Sequence, residues 1–212
     1  MSDHAAAIRG LPRWHPNPLI RSTIETIRRC GWQVTSVGEV DDGFDVRTRS
    51  GAERPHTEQS LPECGYSYTA GLSLHSIPEL SIYGVDPLTA THILNELGAL
   101  LHREDWRDLV AAQTDIPLQT VAVTVRLIEQ LDHDELLLAN LLFPDHPKLQ
   151  VVWPDDHGHL PWEDGYTLLP MHQPVKGMPQ LLDPPFGEPR LLTTEYGPDR
   201  ARPRKGRRIS GH

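Results

Sequence analysis

The chain has 212 residues, of which 38% are hydrophobic and 23% charged, a composition typical of a globular protein. No apolar run reaches the roughly 18 residues of a membrane span, and the first residues lack the features of a secretory signal. We therefore expect a soluble, cytoplasmic protein without membrane contact. The formal net charge of −9 disfavours nucleic acid as a partner, except through the basic tail at 199–212.

The 20 prolines and the uneven charge predict the organisation of the chain. We expect a flexible N-terminal arm at 1–17 and a single α+β domain at 18–170. A proline-rich extension should follow at 171–198, and a disordered basic tail at 199–212. Two cysteines are too few for a disulfide framework, so both are expected to be reduced thiols.

In the first half of the chain, a helix is predicted between Asn17, a capping residue, and Gly31, a stop signal. Alternation of Trp32 and Val34 with polar residues indicates a strand. The polar segment 41–63 is either a hairpin arm or a long loop. Two β-type runs then follow, Tyr66–Leu72 and Glu79–Tyr83.

In the second half, residues 88–103 carry an apolar stripe at i, i+3, i+4 spacing and form the clearest predicted helix. A strand is predicted at Val121–Leu127, a short helix at 132–143 and a buried strand at Leu149–Trp153. Turns should dominate 155–166. Together these elements predict an α+β fold with a small mixed or antiparallel sheet and two or three packed helices.

The first candidate site surrounds the pair of runs after residue 65, where His75 and Glu79 form a possible general base with an orienting carboxylate. Tyr66 and Tyr68 share a face of the strand and are candidates for binding a cofactor beside them. The alternative is structural, with His75 in an exposed loop and Glu79 capping a turn.

The second candidate site lies in the sequence WPDDHGHLPWEDGY after the last strand. Asp155, His157 and His159 are candidates for binding a transition metal. Trp153, Trp162 and Tyr166 are candidates for the walls of a pocket for a flat ligand or cofactor. The structural alternative is a turn packed by two indoles. No common nucleotide or metal motif occurs in the chain.

Four blocks of this sequence resemble a bacterial family known as domain of unknown function 4262. They are CGW at 30–32, YSYTAGLSLHSIPELSIYG at 66–84, the leucine-rich helix with LNEL at 94–97, and LQVVWPDDHGHLPWEDGY at 149–166. The resemblance covers about residues 20–170. One departure is that His75 is separated from Pro78 and Glu79, whereas the family pattern places histidine directly before Pro-Glu. The resemblance implies a fold and leaves the activity, and any enzymatic role, open.

The leading hypothesis is a pocket for a small molecule or cofactor between the Tyr66–Tyr83 and Trp153–Tyr166 segments, because the distinctive aromatic and polar residues fall in these two blocks. A second hypothesis is a non-catalytic accessory or protein-interaction module. A third is an oxidoreductase with a flavin-binding, split-barrel-like fold, suggested by the strand, proline-containing link and strand at 68–84. The sequence leaves the oligomeric state open.

Overall fold

The computed structural model of the protein describes residues 4–38 and 64–179. All of them belong to one compact unit, Met1–Gln180. The segment 41–63, predicted as a hairpin arm or a long loop, lies outside the described residues. Most of the predicted proline-rich extension and the whole basic tail also lie outside them.

The described residues form five α-helices and six strands in an interleaved order. The helices are α1 (His4–Ala7), α2 (Pro18–Cys30), α3 (Pro87–Leu101), α4 (Trp106–Ala111) and α5 (Leu137–Leu142). The strands are β1 (Gln33–Val37), β2 (Tyr66–Ala70), β3 (Glu79–Tyr83), β4 (Ile116–Pro117), β5 (Thr124–Glu129) and β6 (Lys148–Val152). None of the helices in the described part of the chain has the length and apolar character needed to cross a bilayer.

Capping residues set the ends of the two long helices. Asn17 Oδ1 accepts a hydrogen bond from the Leu19 N–H at 2.9 Å, which starts α2. Gly31 ends the same helix at a φ of 97°, a conformation that favours glycine. Asp86 caps α3 by accepting from the N–H groups of Leu88 and Thr89. Both helices therefore lie where capping and periodicity predict them.

The six strands form a mixed sheet in the order β1-β2-β3-β6-β5-β4. Strands β3 and β6 pair in parallel at its centre, and the other neighbours pair antiparallel. The parallel register sets Glu79 beside Lys148 and Ile82 beside Val151. Because β3 and β6 run in the same direction, their carboxyl ends lie side by side at one edge of the sheet.

Helices cover both faces of the sheet, which confirms the predicted α+β class. On one face, α3 packs its leucines against alternate residues of β3 and β6, including Leu80, Ile82, Leu149 and Val151. On the other face, Ile20, Ile24 and Ile27 of α2 pack with residues of β2 and of α5. Burial of these two apolar surfaces holds the helices against the sheet.

Several elements differ from the sequence prediction. Strand β5 begins at Thr124 instead of Val121, because residues before it form a tight turn in which Leu118 N–H donates to the Val123 carbonyl at 2.8 Å and Ala122 has a φ of 52°. Helix α4 was not predicted, since six residues are too few to show a helical period. The N-terminal arm contains α1, and Leu11 of the arm is buried against α2 and β2.

Candidate functional site

The three tyrosines of β2 and β3 stack on one face of the sheet. The ring centroid of Tyr66 lies 6.1 Å from that of Tyr68 and 5.6 Å from that of Tyr83. The Tyr83 hydroxyl donates to the Glu135 carboxylate at 2.6 Å, and the Tyr66 hydroxyl donates to the Glu135 carbonyl at 3.2 Å. Burial raises the pKa of Tyr83, and the hydrogen bond to Glu135 raises it further. These tyrosines therefore tie the chain before α5 to the sheet.

The two segments predicted to enclose a pocket touch at the carboxyl end of β3. The Trp153 indole N–H donates to the Tyr83 carbonyl at 2.9 Å. Gln173 accepts from the Trp153 backbone N–H at 2.9 Å and donates to the Tyr166 hydroxyl at 3.0 Å. Trp162 packs against a separate small apolar cluster. The structure thus brings Trp153 and Tyr166 together through Gln173, and it places Trp162 apart from them.

A cavity of about 630 Å³, which we call the Trp153 cavity, is lined by Trp153, strand β5 and the turns after β6. Tyr66 and Tyr68 are not among its lining residues. Among its charged groups, Arg126 pairs with Asp115 and Glu163, at nitrogen–oxygen distances of 2.5 and 3.8 Å. Charged groups that are already paired offer little to a ligand.

The candidate metal ligands form a closed turn. Asp155 Oδ1 accepts from the N–H groups of His157 and His159, both at 2.9 Å. Its Oδ2 accepts from the N–H and hydroxyl of Thr167 at 2.8 and 2.7 Å. Burial raises the pKa of Asp155, but these hydrogen bonds, led by the Thr167 hydroxyl, lower it below its usual value. Within the two described ranges, no group of three or more His, Cys, Asp or Glu side chains is arranged to hold a metal ion.

Glu79 and His75 lie at the other end of β3 from Trp153. The buried carboxylate of Glu79 accepts from the Thr69 hydroxyl at 2.7 Å and from the N–H groups of Gly71 and Ser73 at 2.8 and 3.0 Å. The two N–H groups belong to the 3₁₀ turn that carries His75, Leu72–His75, and to the glycine before it. Glu79 therefore holds this turn in place.

His75 opens into a cleft of about 450 Å³, which we call the histidine cleft. Its walls come from α1, the end of α2, the 3₁₀ turn and the end of α3. We define it by six side chains: His4, Arg29, Trp32, His75, His102 and Arg103.

Four aromatic rings line the histidine cleft in series. The ring centroid of His75 lies 5.5 Å from that of His4 and 5.0 Å from that of His102, which in turn lies 5.6 Å from Trp32. Backbone carbonyls hold the two outer imidazoles, at 3.1 Å from His4 Nε2 and at 2.8 Å from His102 Nδ1. The nitrogens His4 Nδ1 and His75 Nε2 approach to 3.3 Å.

Two glycines make room for Trp32. A Cβ at Gly98 of α3 would lie 3.1 Å from the indole, and a Cβ at Gly71 would lie 2.9 Å from the Trp32 Cα. The indole N–H also donates to Asn95 Oδ1 on α3 at 2.9 Å. The indole wall of the cleft is therefore fixed by α3 before any ligand enters.

The charge of the histidine cleft is opposite to that of the chain. Its six defining residues include two arginines and three histidines, and no carboxylate is among the described residues that line it. Within residues 4–38 and 64–179, neither Arg29 nor Arg103 forms an ion pair. Burial lowers the pKa of His75, and the neighbouring His102 and His4 lower it further. The site is basic, and His75 favours its neutral form.

Sequence reasoning singled out His75 but missed its neighbours in the cleft. His4 is 71 residues away from His75 along the chain. Arg29 and Arg103 sit at helix ends, where basic residues are common for electrostatic reasons alone. One signal was present: CGW, the 3₁₀ turn and the leucine-rich helix all supply cleft residues, and all lie in blocks that resemble one family.

The described fold is an α+β domain with a mixed sheet covered on both faces and a basic cleft at the end of α2 and α3. The model of one family, described as "Domain of unknown function (DUF4262)", matches residues 26–167, about two thirds of the chain. The chain belongs to this family, as its sequence blocks suggested. The matched residues include all six that define the cleft except His4. No curated protein and no solved structure matches the chain significantly.

Proposed function

We propose that this protein binds a small molecule in the histidine cleft. The observation that carries the proposal is a cleft of about 450 Å³ on which four aromatic rings and two arginines converge. Neither arginine forms an ion pair with the residues that the structure describes. This volume is within the range of roughly 300–1,000 Å³ usual for ligand pockets. Of the residues in the first site predicted from the sequence, this cleft includes His75 but not Tyr66 or Tyr68. Its other side chains belong to α1, α2 and α3 or directly follow α2 and α3.

The Trp153 cavity is larger, but the side chains that line it are less suited to binding a ligand. Arg126 pairs with Asp115 and Glu163, and the Glu163 carboxylate also accepts from the Leu160 N–H at 2.9 Å. A ligand would have to break these contacts before forming its own, and the lost hydrogen bonds would offset those gained. In the histidine cleft, both guanidinium groups are exposed and ready to bind.

Nuclear magnetic resonance of the histidine rings tests the proposal directly. A library of fragments is added to the full chain, and the ring resonances of His75 and His102 are followed. Fragments that bind should shift these two resonances, and Arg103→Gln should weaken binding of the anionic fragments among them. The matched control is Thr124→Ser, which changes an exposed residue of the Trp153 cavity and should leave these affinities unchanged.

Two results would contradict the proposal. One is a screen in which no fragment shifts either histidine ring. The other is a set of binders whose affinity responds to Thr124→Ser and not to changes in the cleft, which would move the site to the Trp153 cavity. The accessory-module and flavin-binding hypotheses stay predictions.

A further inference from the structure

We propose that residues 4–10 of the N-terminal arm, which we call the lid, open and close access to the histidine cleft by moving away from and back onto His75. This inference rests on the proposed function and adds a means of controlling entry to the same site. It depends on three features of the lid: its contact with His75, its lack of buried residues and its attachment at Leu11.

The lid meets the cleft through His4, the residue of its described part that lines the cleft. His4 Nε2 lies 3.1 Å from the Arg28 carbonyl oxygen, which can only accept, so Nε2 carries the hydrogen of the neutral ring. His4 Nδ1 then accepts from His75 Nε2, which lies 3.3 Å away. The two rings stack with their centroids 5.5 Å apart. His4 therefore covers one nitrogen of the His75 side chain.

The lid contributes no buried residue to the fold. Neither the four residues of α1 nor the 3₁₀ turn after it, Ile8–Gly10, contains one. Ile8 is partly buried against the cluster that α2 and β2 share. A single helical turn has little stability of its own, because few hydrogen bonds offset the cost of nucleation. Displacement of the lid therefore uncovers one partly buried isoleucine and leaves the buried core intact.

The lid is attached to the domain at its carboxyl end. Leu11 follows it directly, is only 6% exposed and belongs to the core. The Arg28 guanidinium donates to the carbonyls of Leu11 and Pro12 at 2.8 and 3.2 Å, which fixes this part of the arm to the end of α2. The lid can therefore swing about Leu11 without displacement of α2.

The family match separates the lid from the rest of the cleft. It begins at residue 26 and takes in every residue that defines the cleft except His4. The matched part of the chain thus forms the other walls, and the lid adds the wall that lies against His75. A wall carried by a segment without buried residues can open locally while the remaining walls stay folded.

Modification of histidines by diethyl pyrocarbonate measures the opening of the lid. The reagent reacts with the free electron pair of a neutral imidazole nitrogen, so the contact with His4 should slow its reaction with His75. The full chain is labelled at about pH 8, where imidazoles are neutral. Peptide mass spectrometry gives the rate at His75 relative to His92, an exposed histidine of α3. His4→Ala removes the contact and should raise this relative rate at least about threefold.

His15→Ala is the matched control, because His15 lies in the arm beyond Leu11 and is not among the described residues that line the cleft. It should leave the relative rate at His75 unchanged. A second variant, Arg28→Gln, weakens the attachment of the lid instead of its contact with His75. It should also raise the relative rate. Circular dichroism verifies that each variant is folded.

Binding of indole, a flat uncharged probe, distinguishes a lid from a fixed wall. A lid that is closed for part of the time weakens binding, so its release strengthens binding. A fixed wall supplies contacts to the ligand, so its loss weakens binding. With the ring resonance of His102 as the signal, His4→Ala should strengthen indole binding at least about threefold.

The outcomes separate this inference from the proposed function. Equal labelling of His75 in the parent protein and in His4→Ala would overturn the lid, whether or not fragments bind in the cleft. Weaker indole binding by His4→Ala would make His4 a fixed wall, which overturns the lid while small-molecule binding stands. If labelling rises as expected but neither indole nor any fragment shifts the His75 and His102 rings, the opening of the lid stands and the proposed function fails.

Discussion

Glu79 has no exposed surface, and burial of a carboxylate costs free energy unless hydrogen bonds replace the lost water. Here the replacement comes from the Thr69 hydroxyl and from the backbone N–H groups of Gly71 and Ser73. Both N–H groups lie on the approach to His75. At the scale of single residues, one buried acid therefore couples strand β3 to the turn that forms a wall of the histidine cleft.

The variant Glu79→Gln tests this coupling. The amide has one acceptor oxygen instead of two, so its NH₂ group must face at least one of the donors that the carboxylate now satisfies. We expect the free energy of unfolding to fall by about 2–3 kcal/mol, because buried donors lose their acceptor. Urea unfolding followed by circular dichroism measures the change.

Glu129→Gln is the matched control, since Glu129 is an exposed acid at the end of β5. Its effect on the free energy of unfolding should stay below about 0.5 kcal/mol. Similar losses for both variants would mean that the hydrogen bonds of Glu79 contribute nothing particular to stability.

At the scale of elements, the junction between α2 and β2 depends on the close approach of two backbone segments. Gly71 has a φ of 126°, and a Cβ there would lie 2.7 Å from the Gly31 carbonyl oxygen. The two atoms nearest to this Cβ are the Gly31 oxygen and the Trp32 Cα, at 2.7 and 2.9 Å. Both are backbone atoms, which cannot rotate away as a side chain can. The end of α2, and with it one wall of the cleft, is therefore positioned by a glycine that directly follows β2.

Gly71→Ala should accordingly lower the free energy of unfolding by more than about 2 kcal/mol, through steric overlap added to an unfavourable φ. Gly10→Ala provides the comparison, because a Cβ at Gly10 would meet no atom within 4 Å and should change stability by less than about 0.5 kcal/mol. Thermal unfolding of both variants measures the difference. A Gly71→Ala protein as stable as the parent would show that α2 and β2 can separate without cost.

At the scale of the whole molecule, local signals predicted elements and failed to predict their assembly. The bounds of β3 followed from a run of β-type residues, and those of α2 from a cap and a glycine. The parallel pairing of β3 with β6 joins residues about 70 apart, and no local pattern encodes such a pairing. The cleft is still harder to predict from the sequence, because His4, His75 and His102 come from three elements that meet only after both faces of the sheet are covered.

The same assembly should make the stability of the whole protein depend on pH. Folding lowers the pKa of His75 from its ordinary value of 6.5, so the folded protein binds a proton there less readily than the unfolded chain does. As the pH falls through about 6.5, the unfolded chain gains that proton first, and the free energy of unfolding decreases until the folded ring also titrates.

Without ligand, stability should therefore rise between about pH 5.5 and about pH 7.5, as measured by urea unfolding at closely spaced pH values. His75→Gln removes the titrating ring and should flatten part of this rise. His92→Gln, a change at an exposed histidine of α3, should preserve it. Equal pH profiles for the two variants would contradict the assignment to His75, because both rings would then contribute alike to the linkage between protonation and folding.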